Sequence, residues 1–252
     1  MASPTIHSRR TMLLLPFAAV ACAKPAVQTV AGYTGPPLPY PARVLVYPLA
    51  VAPEDVQLDQ GVTARLQRET SDVPLRAQEV AAARGASDAI TQTLVKELRS
   101  YGLPADYAYG TALPPRGATM LIRGQLVALD EGNRTRRTLI GLGAGRSSVS
   151  ADAQVLFSED GRAPRFIEAM DATANSGRMP GMAETLGVGA AAGTLATSAA
   201  VGTGLHLVSE TGRASDSGEA TGLGKALARQ IGRFCVAQGW IAPSAVPSGS
   251  LL

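Results

Sequence analysis

Residues 150–158 alternate so strictly that few architectures accommodate them. Ala151, Ala153, Val155 and Phe157 fall on one side of an extended chain and Asp152 and Gln154 on the other. Asp160-Gly161 then supplies a hairpin turn, and residues 165–173 supply a returning strand. Residues 119–129 repeat the pattern, with Met120, Ile122, Gly124, Leu126 and Ala128 on one side and Arg123 and Gln125 on the other. Strands of this kind have one face to bury, and a sheet with one buried face needs a second layer against it.

Two segments offer that layer. Residues 78–101 place Ile90, Leu94, Leu98 and Tyr101 on one helical stripe, and Gly102-Leu103-Pro104 stops the helix. Ser217 caps a last helix whose stripe is Leu223, Leu227, Ile231 and Phe234, with Cys235 on or beside it as a packed, inert thiol. Residues 44–47 and 103–109 read as short strands, residues 48–74 as a polar, proline-punctuated stretch, and residues 134–140 as a strand returning from a turn at Glu131-Gly132-Asn133. The fold class this predicts is α+β. Its sheet is mainly antiparallel, with two or three helices including a Gly/Ala-rich C-terminal helix or helical hairpin. The single domain covers residues 43–241 and a disordered tail residues 242–252.

The amino terminus reads as an address. Arg9 and Arg10 precede an almost unbroken apolar run over residues 11–21, too short to span a bilayer as a permanent helix. Ala19-Val20-Ala21-Cys22 ends that run and resembles a bacterial lipobox, which makes residues 1–21 a signal peptide and Cys22 the site of lipidation, palmitate included. Ser8-Arg9-Arg10-Thr11-Met12-Leu13-Leu14 partly resembles a twin-arginine export signal, and general secretory export remains the alternative. Residues 22–42 then read as a lipidated Cys and a tether rich in Pro, about 60 Å long when extended at the polyproline rise. Ala23 after the Cys resembles outer-membrane sorting, with the domain facing the periplasm.

Composition narrows the function classes. The chain has 252 residues, 17% charged and 4% aromatic, with 2 Cys and 2 His. That leaves no Cys/His zinc cluster, iron–sulfur site or disulfide scaffold, so no metal and no cofactor is expected. Arg9 and Arg10 leave with the signal peptide, so 21 basic residues face 20 acidic ones and the net charge falls from +3 to +1. The basic sequence pI therefore argues poorly for nucleic acid, and no nucleic-acid partner is expected.

Several segments carry a resemblance. They are Val44-Leu45-Val46-Tyr47, the helix end Leu94-Val95-Lys96-Glu97-Leu98 before Gly102-Leu103, and the strand Leu121-Ile122-Arg123-Gly124-Gln125-Leu126. Gly132-Asn133-Arg134-Thr135-Arg136-Arg137, Ile140-Gly141-Leu142-Gly143-Ala144-Gly145 and the closing Gln238-Gly239-Trp240 complete the set. Together they resemble the bacterial lipoprotein family catalogued as domain of unknown function 4410, over residues 43–241. The resemblance implies a lipobox and supplies no activity, substrate or catalytic residue. Such lipoproteins are distantly similar to α/β domains of envelope-assembly factors, a likeness of fold alone.

Candidate sites follow from what remains. Arg134, Arg136 and Arg137 form the densest basic cluster, suited to bidentate contact with an anion or an acidic partner; a solvated hairpin guarded against edge pairing is the plainer alternative. Gly141-x-Gly143-x-Gly145 lacks the spacing of a phosphate loop and reads as a kink where backbones approach closely. The acid pairs Glu54-Asp55, Asp130-Glu131 and Glu159-Asp160 lie beside turns, where carboxylates are solvated; no catalytic residue is assigned and no enzyme is expected. No charge occurs between Glu184 and Glu210, and Gly189 and Gly193 belong to a small-residue ladder at four-residue spacing, suited to helix packing or self-association. The expected role is a lipid-anchored envelope adaptor or assembly factor with the membrane and an envelope protein as partners. The alternative is an oligomeric export pore or channel component.

Overall fold

A computed structural model describes residues 25–110, 117–133, 136, 144–160, 162–176 and 204–248, with side chains of the last helix described from Gly218 onward. Among the described residues, seven strands form one mixed sheet: β1 (Ala26–Ala31), β2 (Arg43–Val46), β3 (Val56–Gln57), β4 (Ala105–Tyr107), β5 (Thr119–Asp130), β6 (Ser148–Ser158) and β7 (Arg165–Asn175). The α-helices of the described residues are α1 (Val62–Glu69), α2 (Leu75–Ser100) and α3 (Gly204–Ala237). The α+β expectation holds.

The strands the alternation announced make the centre. β5 pairs antiparallel with β6, and β6 with β7. Strand order is β1-β7-β6-β5-β2-β4, with β3 also on β5. β2 and β4 run parallel to each other, and β2 and β3 run parallel to β5. The parallel flank arises because α2 carries the chain from the end of one strand back to the start of the next, which a tight turn cannot do. Residues 43–57 thus follow one edge of β5 as a broken strand, with Tyr47 N–H on Ile122 O and Ala50 N–H on Gly124 O.

Both long helices cover one face. Ile90, Leu94 and Leu98 of α2 and Leu223, Leu227 and Ile231 of α3 meet Met120, Ile122, Val155, Phe157 and Met170 of the sheet, all buried. Each such side chain contributes about 2 kcal/mol of transfer free energy, before the cost of ordering it. The helices come close because α3 shows small residues to α2 at four-residue spacing: Ala220, Gly224, Ala228 and Gly232. A Cβ on Gly224 would sit 2.8 Å from Ile90 O, and one on Gly232 3.2 Å from the Tyr101 ring.

The structure changes several boundaries. Residues 26–31, expected inside the tether, form β1 and pair with β7, because Ala-Val-Gln-Thr-Val-Ala offers a β-branched run to an open sheet edge. Leu38 is also held: its N–H donates to Gln238 Oε1 at 2.9 Å, and its carbonyl accepts the Trp240 indole N–H at 3.0 Å. Trp240 in turn stacks on Phe157 and meets Phe234 edge-on, with centroids 5.8 and 5.6 Å apart. Residues expected in the tail begin with a 3₁₀ turn (Pro243–Ala245), and Val246 packs against the core. β6 pairs with β5; of the expected returning strand 134–140 only Arg136 is described, in helical conformation, and the rest lies outside the described residues. Among the described residues no helix is long and apolar enough to cross a membrane.

Candidate functional site

The connection from β5 to β6 leaves and re-enters the body through a glycine neck at the Asp130 end of the sheet. Gly132 and Gly145 both have φ of +71°. Asp130 Oδ1 accepts the Gly132 N–H at 2.7 Å, and Gly145 O accepts the Asn133 N–H at 3.0 Å. A Cβ on Gly132 would collide with Arg146 O, and one on Gly145 with Asn133 O. Glycine is therefore required twice, for its left-handed backbone and for the close approach. Just beyond the neck, Asn133 Oδ1 accepts the Arg136 N–H at 2.9 Å. Arg136 and Arg146 are both exposed, so the described part of the arginine cluster faces solvent. Arg134 and Arg137 lie outside the described residues, as do Cys22, Gly189 and Gly193.

The same neck holds the base of α1. Gln60 N–H donates to Gly132 O at 3.0 Å, and Asp59 N–H to Glu131 Oε2 at 2.9 Å. β1 begins at this end of the sheet too, since Ala26 pairs with Thr173 near the end of β7. The structure therefore gathers the first described residues, α1 and the arginine-bearing connection at one end of the molecule.

The acid pairs have structural occupations. Glu54 and Asp55 form a 3₁₀ turn, and Asp130 and Glu131 build the neck. Glu159 pairs with Arg165 at 3.1 Å beside a small depression of about 150 Å³ lined by Phe157, Glu159, Arg162, Ala163 and Arg165. No group of three or more His, Cys, Asp or Glu among the described residues is placed to hold a metal ion.

One polar cluster escaped the sequence reading. Glu168, only 4% exposed, sits beneath α3, and its Oε1 accepts from Thr29 Oγ1 and from Gln230 Nε2, each at 2.9 Å. Gln230 Nε2 also donates to Thr29 Oγ1 at 2.9 Å, so the three side chains close a ring joining β1, β7 and α3. The signal was present: Glu168 shares the inward parity of Met170 and Ala172 on β7. Cys235 lies near it, and burial, with the Glu168 carboxylate adding to it, pushes the thiol up to about 12. Such a thiol is unreactive at neutral pH, as expected of a packed core residue. Burial likewise raises Tyr101, reinforced by the Glu97 carboxylate and opposed by Arg229. A second buried contact, Ser147 Oγ on Glu219 Oε1 at 3.0 Å, ties the start of β6 to α3.

The described residues form a two-layer α+β domain whose mixed sheet is covered by two long helices on one face. The chain belongs to the family described as Domain of unknown function (DUF4410), which matches residues 44–193. Among solved structures it is distantly similar to the PelC dodecamer from Paraburkholderia phytofirmans, with a TM-score of 0.34 and 14% identity over 64% of this chain and 88% of that one. A point variant of that PelC gives a TM-score of 0.32 and 13% identity, over 61% and 83%. No curated protein sequence matches the chain.

Proposed function

We propose that the protein is a lipid-anchored component of the cell envelope, held in the outer membrane through Cys22 and facing the periplasm, where it acts as a non-enzymatic adaptor or assembly factor. The observation that carries this reading is the amino-terminal sequence, in which Arg9-Arg10, an apolar run and Ala19-Val20-Ala21-Cys22 follow in the order of a lipoprotein signal. The start of β1 only four residues after Cys22 supports it, because a cut before Cys22 leaves the folded body whole. The non-enzymatic part rests on the employment of the acids: Asp130, Glu131, Glu159 and Glu168 each hold a turn, a neck, an ion pair or a helix.

Intact mass of the chain purified from membranes tests the anchor. A mature chain beginning at Cys22 and carrying acyl groups is the expected result, and Cys22→Ala should prevent both cleavage and acylation. A chain beginning elsewhere, with no added acyl mass, overturns the reading. The pore alternative is motivated by the 25 uncharged residues between Glu184 and Glu210. Light scattering in mild detergent separates the two: a discrete high-order species favours the pore, a monomer the adaptor.

A further inference from the structure

Helix α1 is inside out. Its apolar pair, Val62 and Leu66, stands one turn apart on the outer side at 64% and 58% exposure, and none of its residues is buried. Ala64 and Arg68, on the opposite side of the helix, are the partly covered residues. The exposed apolar run continues through Val73 at 50% and Leu75 at 56%, the residues that lead into α2. A water-facing helix shows the reverse arrangement, so this face is made to be covered.

Position identifies the cover. α1 is fastened to the glycine neck, at the end of the sheet where β1 begins. Ala26 is four residue steps beyond Cys22, and even fully extended those steps span only about 14 Å. A lipid on Cys22 therefore keeps the start of β1, and with it this end of the sheet, within that reach of the bilayer. Arg65 on α1 and Arg136 and Arg146 at the neck are exposed at the same end of the sheet, as suits a helix lying in the headgroup layer. We infer that α1 is an interfacial helix that lays Val62 and Leu66 on the bilayer at the same end of the sheet as the lipid anchor but across its width, so the protein contacts the membrane at two separate places. The inference rests on the lipoprotein reading, because the anchor sets the orientation.

Leu66→Cys in the full chain provides the test. Cys22 is acylated under the reading above and Cys235 is buried, so position 66 carries the accessible thiol. Labelled with a polarity-sensitive fluorophore and reconstituted into vesicles of phosphatidylethanolamine with a minority of phosphatidylglycerol, it should shift to the blue. Spin-labelled lipids should quench it roughly threefold more than a label on Arg162→Cys, which lies beyond β6 at the far end of the sheet. Equal quenching at the two positions overturns the inference, and a blue shift without lipid quenching overturns it in favour of a second copy covering the face. Intact mass of the same sample reports acylation separately: an acylated chain with an aqueous label sinks the interfacial helix alone, whereas an unacylated chain sinks the anchor. Retained helical circular dichroism in both variants shows that the fold is not at issue.

Discussion

Helices α1 and α2 are neighbours in sequence, each with apolar residues at helical spacing, and their fates are opposite. α2 buries Ile90, Leu94 and Leu98 between the sheet and α3, whereas α1 turns Val62 and Leu66 away from the protein. The difference does not lie in the residue types. α2 lies along the sheet and is met by small residues of α3, while α1 hangs from a turn at the edge and reaches no second layer. A stripe of leucine and valine shows that something apolar will be covered, but the surrounding layers decide whether the cover is protein.

That contrast is open to direct attack. The largest expected effect is Leu98→Ala, a fully buried truncation that should cost about 3 kcal/mol in denaturant unfolding. A loss as small as a surface change would mean that α2 is not seated as described. Gly224→Ala asks what seats it: a Cβ 2.8 Å from Ile90 O forces α2 and α3 apart, at a cost of about 2 kcal/mol. An unchanged midpoint would show that the crossing has slack.

Alkaline titration probes the buried side of α3 through Cys235. Its thiol ionises near 9 when unfolded and only near 12 when folded, so between those values the native chain holds the extra proton. Stability is then flat below pH 9 and falls as pH rises towards 12, with a slope of at most about 1.4 kcal/mol per pH unit from this group. Cys235→Ala should make that fall shallower, and an identical slope in both proteins would refute the assignment. The smallest effect belongs to Leu66→Ser, which should shift stability by less than about 0.5 kcal/mol. A loss near that of Leu98→Ala would place α1 inside the folded core.

How much was legible follows the same logic. Alternation exposed β5, β6 and β7 because each buries every second residue over much of its length, and the Ile90 stripe exposed α2 because its period persists over several turns. β1 was hidden among prolines and glycines that suggested a tether, and only an available edge on β7 makes a strand of it. α1 was hidden because two apolar residues in a polar stretch make no periodic signal. The parallel placement of β2 and β4 depends on a crossover that no local pattern encodes. At the candidate site, Gly145 and the acids beside turns behave as their neighbours suggest. Glu168 required pairing strand parity with a helix far along the chain. A similar limit applies to the small-residue ladders: the one at Gly189 and Gly193 drew attention by its composition, while that at Gly224 and Gly232 makes the described contact from within an ordinary amphipathic helix.

The pairing of β1 with β7 also sets how the molecule bears tension. A pull on the amino terminus acts along β1, and the hydrogen bonds to β7 lie across that direction. The strand is therefore loaded in shear, so its bonds resist together instead of parting one after another like a peeled tape. Behind it, Thr29 is clasped by Glu168 and Gln230, which passes the strain into α3. Were the chain moored through its amino terminus as proposed, the body would bear a tug on that mooring without unravelling from the held end.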